Sequence, residues 1–185
     1  TTRLVGSEMC IRDRAYTSGG KVNRLRVDMG KAILDPKEIP VVLDGDKVVD
    51  RPVEIAGKNY NITCVSMGNP HCVVFMDDID NLDIETVGPE FENDKLFPER
   101  VNTEFVTVLD DHTIKMRVWE RGSGETWACG TGACAVAVAA CENGFCKKGE
   151  DIKIKLKGGD LIINYTDETV YMTCLLYTSP SPRDA

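Results

Sequence analysis

The 185-residue chain lacks an apolar run long enough to cross a membrane. Its longest uncharged apolar stretch, Ala133 to Cys141, falls far short of the roughly 20 residues a spanning helix needs. Basic charge is also scarce. Against 30 aspartates and glutamates stand 22 lysines and arginines, a net charge of -8, with a pI near 4.8. No basic face is left to release counterions, so neither nucleic acid nor an anionic membrane is an expected partner. No signal peptide and no internal repeat is recognisable. No Gly-x-Gly-x-x-Gly leads from a strand into a helix, because Gly122, Gly124, Gly130 and Gly132 are spaced otherwise. Dinucleotide binding is disfavoured accordingly.

Cysteine is not scarce, but its spacing is uninformative for metal. None of the eight cysteines forms a Cys-x-x-Cys pair, and Cys134 and Cys141 fall within one apolar helical stretch that Cys129 borders. Zinc is not expected, nor any other metal. The chain is larger than the small secreted scaffolds that depend on disulfides, and its apolar share of 42% and charged share of 28% are those of an ordinary globular protein. A reduced, cytoplasmic setting is the expectation. The length permits one or two domains.

Both ends look foreign to the rest. Val5 to Arg14 and Cys174 to Asp184 continue no periodic pattern. The two peptides back-translate into complementary strands of one short DNA, in the manner of a translated sequencing adapter. Residues 1–14 and 174–185 are therefore set aside as adapter-like scars. Setting aside Cys10 and Cys174 leaves six cysteines.

Between them, short strands dominate. Strands are predicted at Asn23–Met29, Arg51–Ile55, Tyr60–Met67, His71–Met76, Thr103–Leu109, Thr113–Glu120, Ile152–Lys157, Asp160–Tyr165 and Thr169–Thr173. Turn signals separate them: Gly57-Lys58-Asn59, Asp110-Asp111, Gly158-Gly159 and Thr166-Asp167. Val41–Val49 turns at Asp44-Gly45-Asp46. A short helix is predicted over Leu82–Glu92, interrupted or restarted at Pro89. A second runs from about Gly132 to Asn143, with Gly144 as its stop. That helix is apolar on every side, so something must cover it all round. The expected fold is α+β, with antiparallel strands curled around the central apolar helix.

The stretch Glu120 to Gly132 carries the chemistry. It sets Cys129 in a glycine-rich turn immediately before the apolar helix. A thiol there meets unpaired backbone N–H groups and the positive end of the helix dipole. Such positions lower a cysteine pKa to about 3.5–7.5, so thiolate is expected at neutral pH. An isolated cysteine is more often a small buried hydrophobe; the flanking glycines and Glu120-Arg121 weigh against that. Asn69-Pro70 forms a tight turn beside His71. Alone, that histidine would be read as structural, Asn102 as a cap or turn residue, and Glu120-Arg121 as a solvated pair. Together they offer amide, imidazole, carboxylate, guanidinium and thiol, which suits a small zwitterion. Arg121 would take a carboxylate. Glu120 and the side chains of Asn69 and Asn102 would hold an ammonium. The N–H groups of Gly130 and Thr131 would bind a second carboxylate oxygen.

Gly68-Asn-Pro-His71, Val101-Asn102, Glu120-Arg121-Gly122 and Ala128-Cys-Gly-Thr-Gly-Ala133 resemble the signature blocks of the diaminopimelate epimerases. Order and spacing agree from about Val27 to Thr173. The resemblance implies two pseudo-symmetric domains, each wrapping a central helix, with the substrate between them. It implies inversion of an amino-acid α-carbon without pyridoxal phosphate, metal or other cofactor, in lysine and peptidoglycan-precursor biosynthesis. Two cysteines act from opposite faces, one as thiolate base and one as thiol acid. By this pattern Cys129 is one of them, His71 and Glu120 tune the thiols, and Asn69, Asn102, Glu120, Arg121, Gly130 and Thr131 bind substrate. The second catalytic cysteine belongs to a Gly-Asn-Gly block that this chain does not contain. Residues 15–29 match only the end of the first domain, and residues 30–173 the second. The chain is thus expected to hold half the chemistry, to be inactive alone, to lack its N-terminal domain as partner, and to expose a sticky apolar cleft face. A homodimer is allowed for the full-length enzyme. A proline racemase or hydroxyproline epimerase, and a non-catalytic binding or thiol-redox module, stand as alternatives.

Overall fold

The computed structural model describes residues 14–18 and 21–175. Within them lie strands β1 (Arg14–Ser18), β2 (Lys21–Asp28), β3 (Arg51–Ile55), β4 (Lys58–Ser66), β5 (Pro70–Phe75), β6 (Asn102–Asp110), β7 (Thr113–Glu120), β8 (Gly124–Thr126), β9 (Asp151–Leu156), β10 (Gly159–Tyr165) and β11 (Val170–Leu175). The helices are α1 (Ile84–Glu92) and α2 (Gly130–Glu142). All strands join one sheet in the order β1-β2-β11-β10-β9-β7-β6-β5-β4-β3, with β8 paired to β7.

Antiparallel pairing does not hold throughout. β5 runs parallel to β6, and β7 runs parallel to β9. A parallel pair cannot be closed by a hairpin and needs a crossover. The stretch containing α1 supplies one crossover, and β8 with α2 supplies the other. The two helices are therefore connections as well as core. Val41–Val49 forms no strand; Val41 and Val48 reach the core from a loop. The β3–β4 hairpin closes at Ile55↔Lys58, one step earlier than the predicted turn. Its two loop residues, Ala56 (φ 49°) and Gly57 (φ 78°), both take the positive φ that a type I′ turn demands. Pro89 lies inside a continuous α1 and does not divide it.

Strand alternation feeds two cores. On one face Val65, Val73, Val106, Ile114, Met116, Ile152, Ile154 and Ile163 pack against α2. On the other, Ile62, Cys64, Cys72, Val74 and Phe105 pack against Ile84, Val87 and Phe91 of α1. Phe91 makes edge-on contacts with Tyr60 at 4.9 Å and Phe105 at 5.4 Å. Burial on both faces leaves β4, β5 and β6 each with a run of consecutive buried residues rather than an alternating pattern. β7 and β9 alternate instead. Helix α2 is buried from Gly132 to Ala140. Its alanines let sheet side chains approach from several strands at once. Gly144 (φ 78°) follows the Asn143 cap.

β11 continues through Cys174, which registers with Leu25 of β2. Residues 1–13 and 176–185, which carry most of the two adapter-like segments, lie outside the described residues. Among the described residues no helix is long and apolar enough to cross a membrane.

Candidate functional site

Four element ends converge. β5 and β6 start side by side, with His71 registered against Asn102. β7 ends at Glu120, and α2 begins at Gly130. The turn into β5 is made by Gly68, whose φ of 93° suits glycine. The Ser66 hydroxyl accepts from its N–H at 3.3 Å.

Cys129 is the N-cap of α2. Its backbone is extended (φ -134°, ψ 109°), and its Sγ accepts from the N–H of Gly132 at 3.3 Å. Gly130 and Thr131 occupy the first two helical positions, where N–H groups have no partner within the helix. The thiol is only 7% exposed. Burial pushes it up to about 11, and the nearby Glu104 carboxyl adds to the rise. The Thr131 hydroxyl and the Gly132 N–H act the other way and are outweighed. The expected neutral-pH thiolate is thus corrected. The helix end offers one N–H, whereas burial and a nearby acid both disfavour the anion.

A chain of polar side chains leads away from the sulfur. The Thr131 hydroxyl lies 3.6 Å from Cys129 Sγ. Asn69 Nδ2 donates to that hydroxyl at 3.4 Å. Asn69 Oδ1 lies 3.0 Å from His71 Nε2. His71 Nδ1 lies 2.7 Å from Glu104 Oε1. His71 and Glu104 are both fully buried. Burial raises the Glu104 pKa, and the histidine beside it pulls in the other direction.

Asn102 is tied to backbone through both atoms of its amide. It is 3% exposed. Its Nδ2 donates to the Pro70 carbonyl at 3.1 Å, and its Oδ1 accepts from the Arg121 N–H at 3.0 Å. Asn102 therefore ties the Asn-Pro-His turn to the Glu-Arg turn. The Glu120 carboxylate, half-buried, accepts from the Thr126 hydroxyl. The exposed Arg121 guanidinium donates to the Glu99 carbonyl at 3.1 Å. Behind this turn, the Glu92 carboxylate accepts from Trp119 Nε1 at 2.7 Å, Gly122 N–H at 2.9 Å and Arg100 at 3.2 Å. Among the described residues no group of three or more His, Cys, Asp and Glu could hold a metal.

The sequence model of one family, described as Diaminopimelate epimerase, matches residues 63–175. A diaminopimelate epimerase of Agathobacter rectalis is 50% identical over 85% of this chain and 58% of its own length. That of Desulfovibrio desulfuricans is 51% identical over 86% of this chain and 58% of its own. The chain belongs to the diaminopimelate epimerase family. It spans 58% of the length of these two relatives. Among solved structures, a probable proline racemase of Agrobacterium radiobacter aligns with TM-score 0.65 at 14% identity, over 93% of this chain and 58% of that one. A hydroxyproline epimerase of Agrobacterium vitis aligns with TM-score 0.62 at 12% identity, over 86% and 51%. These last two speak for a shared fold alone.

Within this member of the diaminopimelate epimerase family, Asn69, His71, Cys129, Gly130 and Thr131 cluster, while Asn102, Glu120 and Arg121 line the adjoining turn. Sequence reasoning missed Glu104 and Glu92. Glu104 carried a usable signal: it is a charged residue within a strand, directly before the apolar pair Phe105-Val106. Glu92 carried none, because its partners Trp119 and Gly122 are distant in sequence.

Proposed function

We propose that this chain carries one half of a cofactor-independent amino-acid epimerase acting on diaminopimelate. The Cys129 thiol at the start of α2, joined through Thr131 and Asn69 to His71, is the observation that carries the reading. An α-carbon is inverted when a thiolate on one face takes its proton and a thiol on the other face returns one. Because burial and Glu104 keep Cys129 protonated, its role in this scheme is the proton donor. The S–H bond breaks as the new C–H bond forms. The N–H groups of Gly130 and Thr131 would steady substrate carboxylate charge as the carbanion develops. The base belongs to a second glycine-flanked cysteine. The other described cysteines do not stand at a helix start: Cys64, Cys72 and Cys174 lie in strands, Cys134 and Cys141 in α2, and Cys146 in the loop that follows α2. The free thiols of Cys64, Cys72, Cys134 and Cys146 support a reducing compartment.

α-Proton exchange in deuterated water with diaminopimelate tests this. The chain alone should neither exchange nor epimerise. Extended by an N-terminal epimerase domain carrying the second cysteine, it should do both, and Cys129→Ser should abolish epimerisation. Turnover by the chain alone overturns the half-site assignment. Inactivity of the extended, folded protein, or preference for proline, overturns the substrate assignment.

A further inference from the structure

The buried acid behind His71 has a role that surface and strand chemistry do not explain. Glu104 lies on β6 with its side chain fully buried, where an unpaired carboxylate would be strongly disfavoured. Only Oε1 has a partner; Oε2 has none among the described residues. The same Oε1 presses on the start of α2. A Cβ built on Gly132 would stand 2.6 Å from Glu104 Oε1 and 3.1 Å from Cys129 Sγ. Gly132 thus has room for a hydrogen only, and its lack of a side chain lets the acid and the thiol both close on the space a Cβ would fill.

Proton counting gives the pair a definite state. Asn69 Nδ2 is turned to Thr131, so Asn69 Oδ1 faces His71 Nε2. An amide oxygen only accepts, so Nε2 bears a proton. The 2.7 Å approach of Nδ1 to Glu104 Oε1 needs another. The Glu104–His71 pair therefore holds two protons, one in each hydrogen bond.

We propose that Glu104 is a positioning residue that governs the proton on Cys129. It locks the His71 ring and, through Asn69 and Thr131, the direction of the hydrogen bonds that reach Sγ. Its own carboxyl, across Gly132, holds the thiol in its protonated form. This deepens the donor role given to Cys129 above and rests on that role, but its readout needs no substrate. The titratable groups facing Cys129 are Glu104 on β6, Glu120 on β7 and Cys134 on α2, with His71 on β5 behind Glu104.

The test is alkylation by iodoacetamide, followed peptide by peptide with mass spectrometry from pH 6 to pH 11. Glu104→Gln keeps the shape and the hydrogen bond to His71 but cannot become an anion. Cys129 should then titrate at least about one pH unit lower, which speeds its alkylation about tenfold at pH 8. Cys141, which is only partly buried and whose ionisation is coupled to neither Cys129 nor Glu104, should keep its rate and serves as internal control. Glu104→Asp should restore part of the wild-type profile. An unchanged Cys129 profile in folded Glu104→Gln overturns the proposal. Nuclear magnetic resonance on the unaltered chain gives a second arm that folding defects cannot spoil. A protected ring proton should be seen at His71 Nε2, turned to Asn69. A bare Nε2 overturns the proposal. Either failure leaves the deuterium-exchange test of the epimerase reading standing.

Discussion

At Ala56 the backbone conflicts with the side chain. A positive φ of 49° costs a Cβ-bearing residue about 1–2 kcal/mol. Asparagine tolerates that region and is favoured at the first position of a type I′ turn. Ala56→Asn should therefore stabilise the chain by about 0.5–1 kcal/mol, read from the urea midpoint at constant m-value. Glu92 makes a second prediction through its charge. Burial alone would raise its pKa, but Trp119, Gly122 and Arg100 together hold it below the usual 4.5. A depressed carboxyl stabilises the fold above its unfolded value and loses that contribution as pH falls through the folded value. Stability measured from pH 6 downward should therefore fall below about pH 4.5 in the natural chain. Glu92→Gln should cost about 1–3 kcal/mol at pH 7 and flatten that acid limb. A slope unchanged by the substitution would remove Glu92 as its source. The polar residues near Cys129 were legible one by one, because imidazole, amide and thiol are recognisable side chains. Their couplings were not. Asn102 looks identical in sequence whether it awaits an ammonium or bridges Pro70 and Arg121.

The helices were the most readable elements. An apolar stretch without a charged face required burial all round, and α2 is buried from Gly132 to Ala140. What the pattern could not convey is how little space remains. Ala137 is fully buried beside strands on several sides. Ala137→Leu should cost about 1–3 kcal/mol by overpacking, measured by thermal or urea denaturation; a neutral result would mean slack in this core. Nine strands were legible to within a residue or two, since alternation and turn residues are local signals; β1 and the three-residue β8 were not predicted. Pairing was not. β5 and β6 read as successive strands with a helix between them, yet only the crossover makes them parallel. That parallel pairing is what sets His71 beside Asn102.

For the whole molecule, the most exposed large apolar side chain among the described residues stands close to the site. Trp127 is 75% exposed, two residues before Cys129, on a segment held by Gly158 N–H donating to its carbonyl at 2.8 Å. A large aromatic presented on an ordered loop favours association. Trp127→Ser should leave stability within about 0.5 kcal/mol and lower the concentration-dependent mass seen by light scattering. A mass that does not respond would clear Trp127 of that role.

The amino-acid sequence alone determined the family, the positions of nine strands and both helices, and the types of side chain available to the site. These depend on local periodicity and on motifs of a few residues. Tertiary structure alone decided the burial of Cys129, the acid beside it and the partner of His71. A thiol's pKa depends on the water it loses and on charges brought near it from other strands. Glu104, 25 residues upstream of Cys129, reaches the thiol only because β6 packs against the first turn of α2 at Gly132.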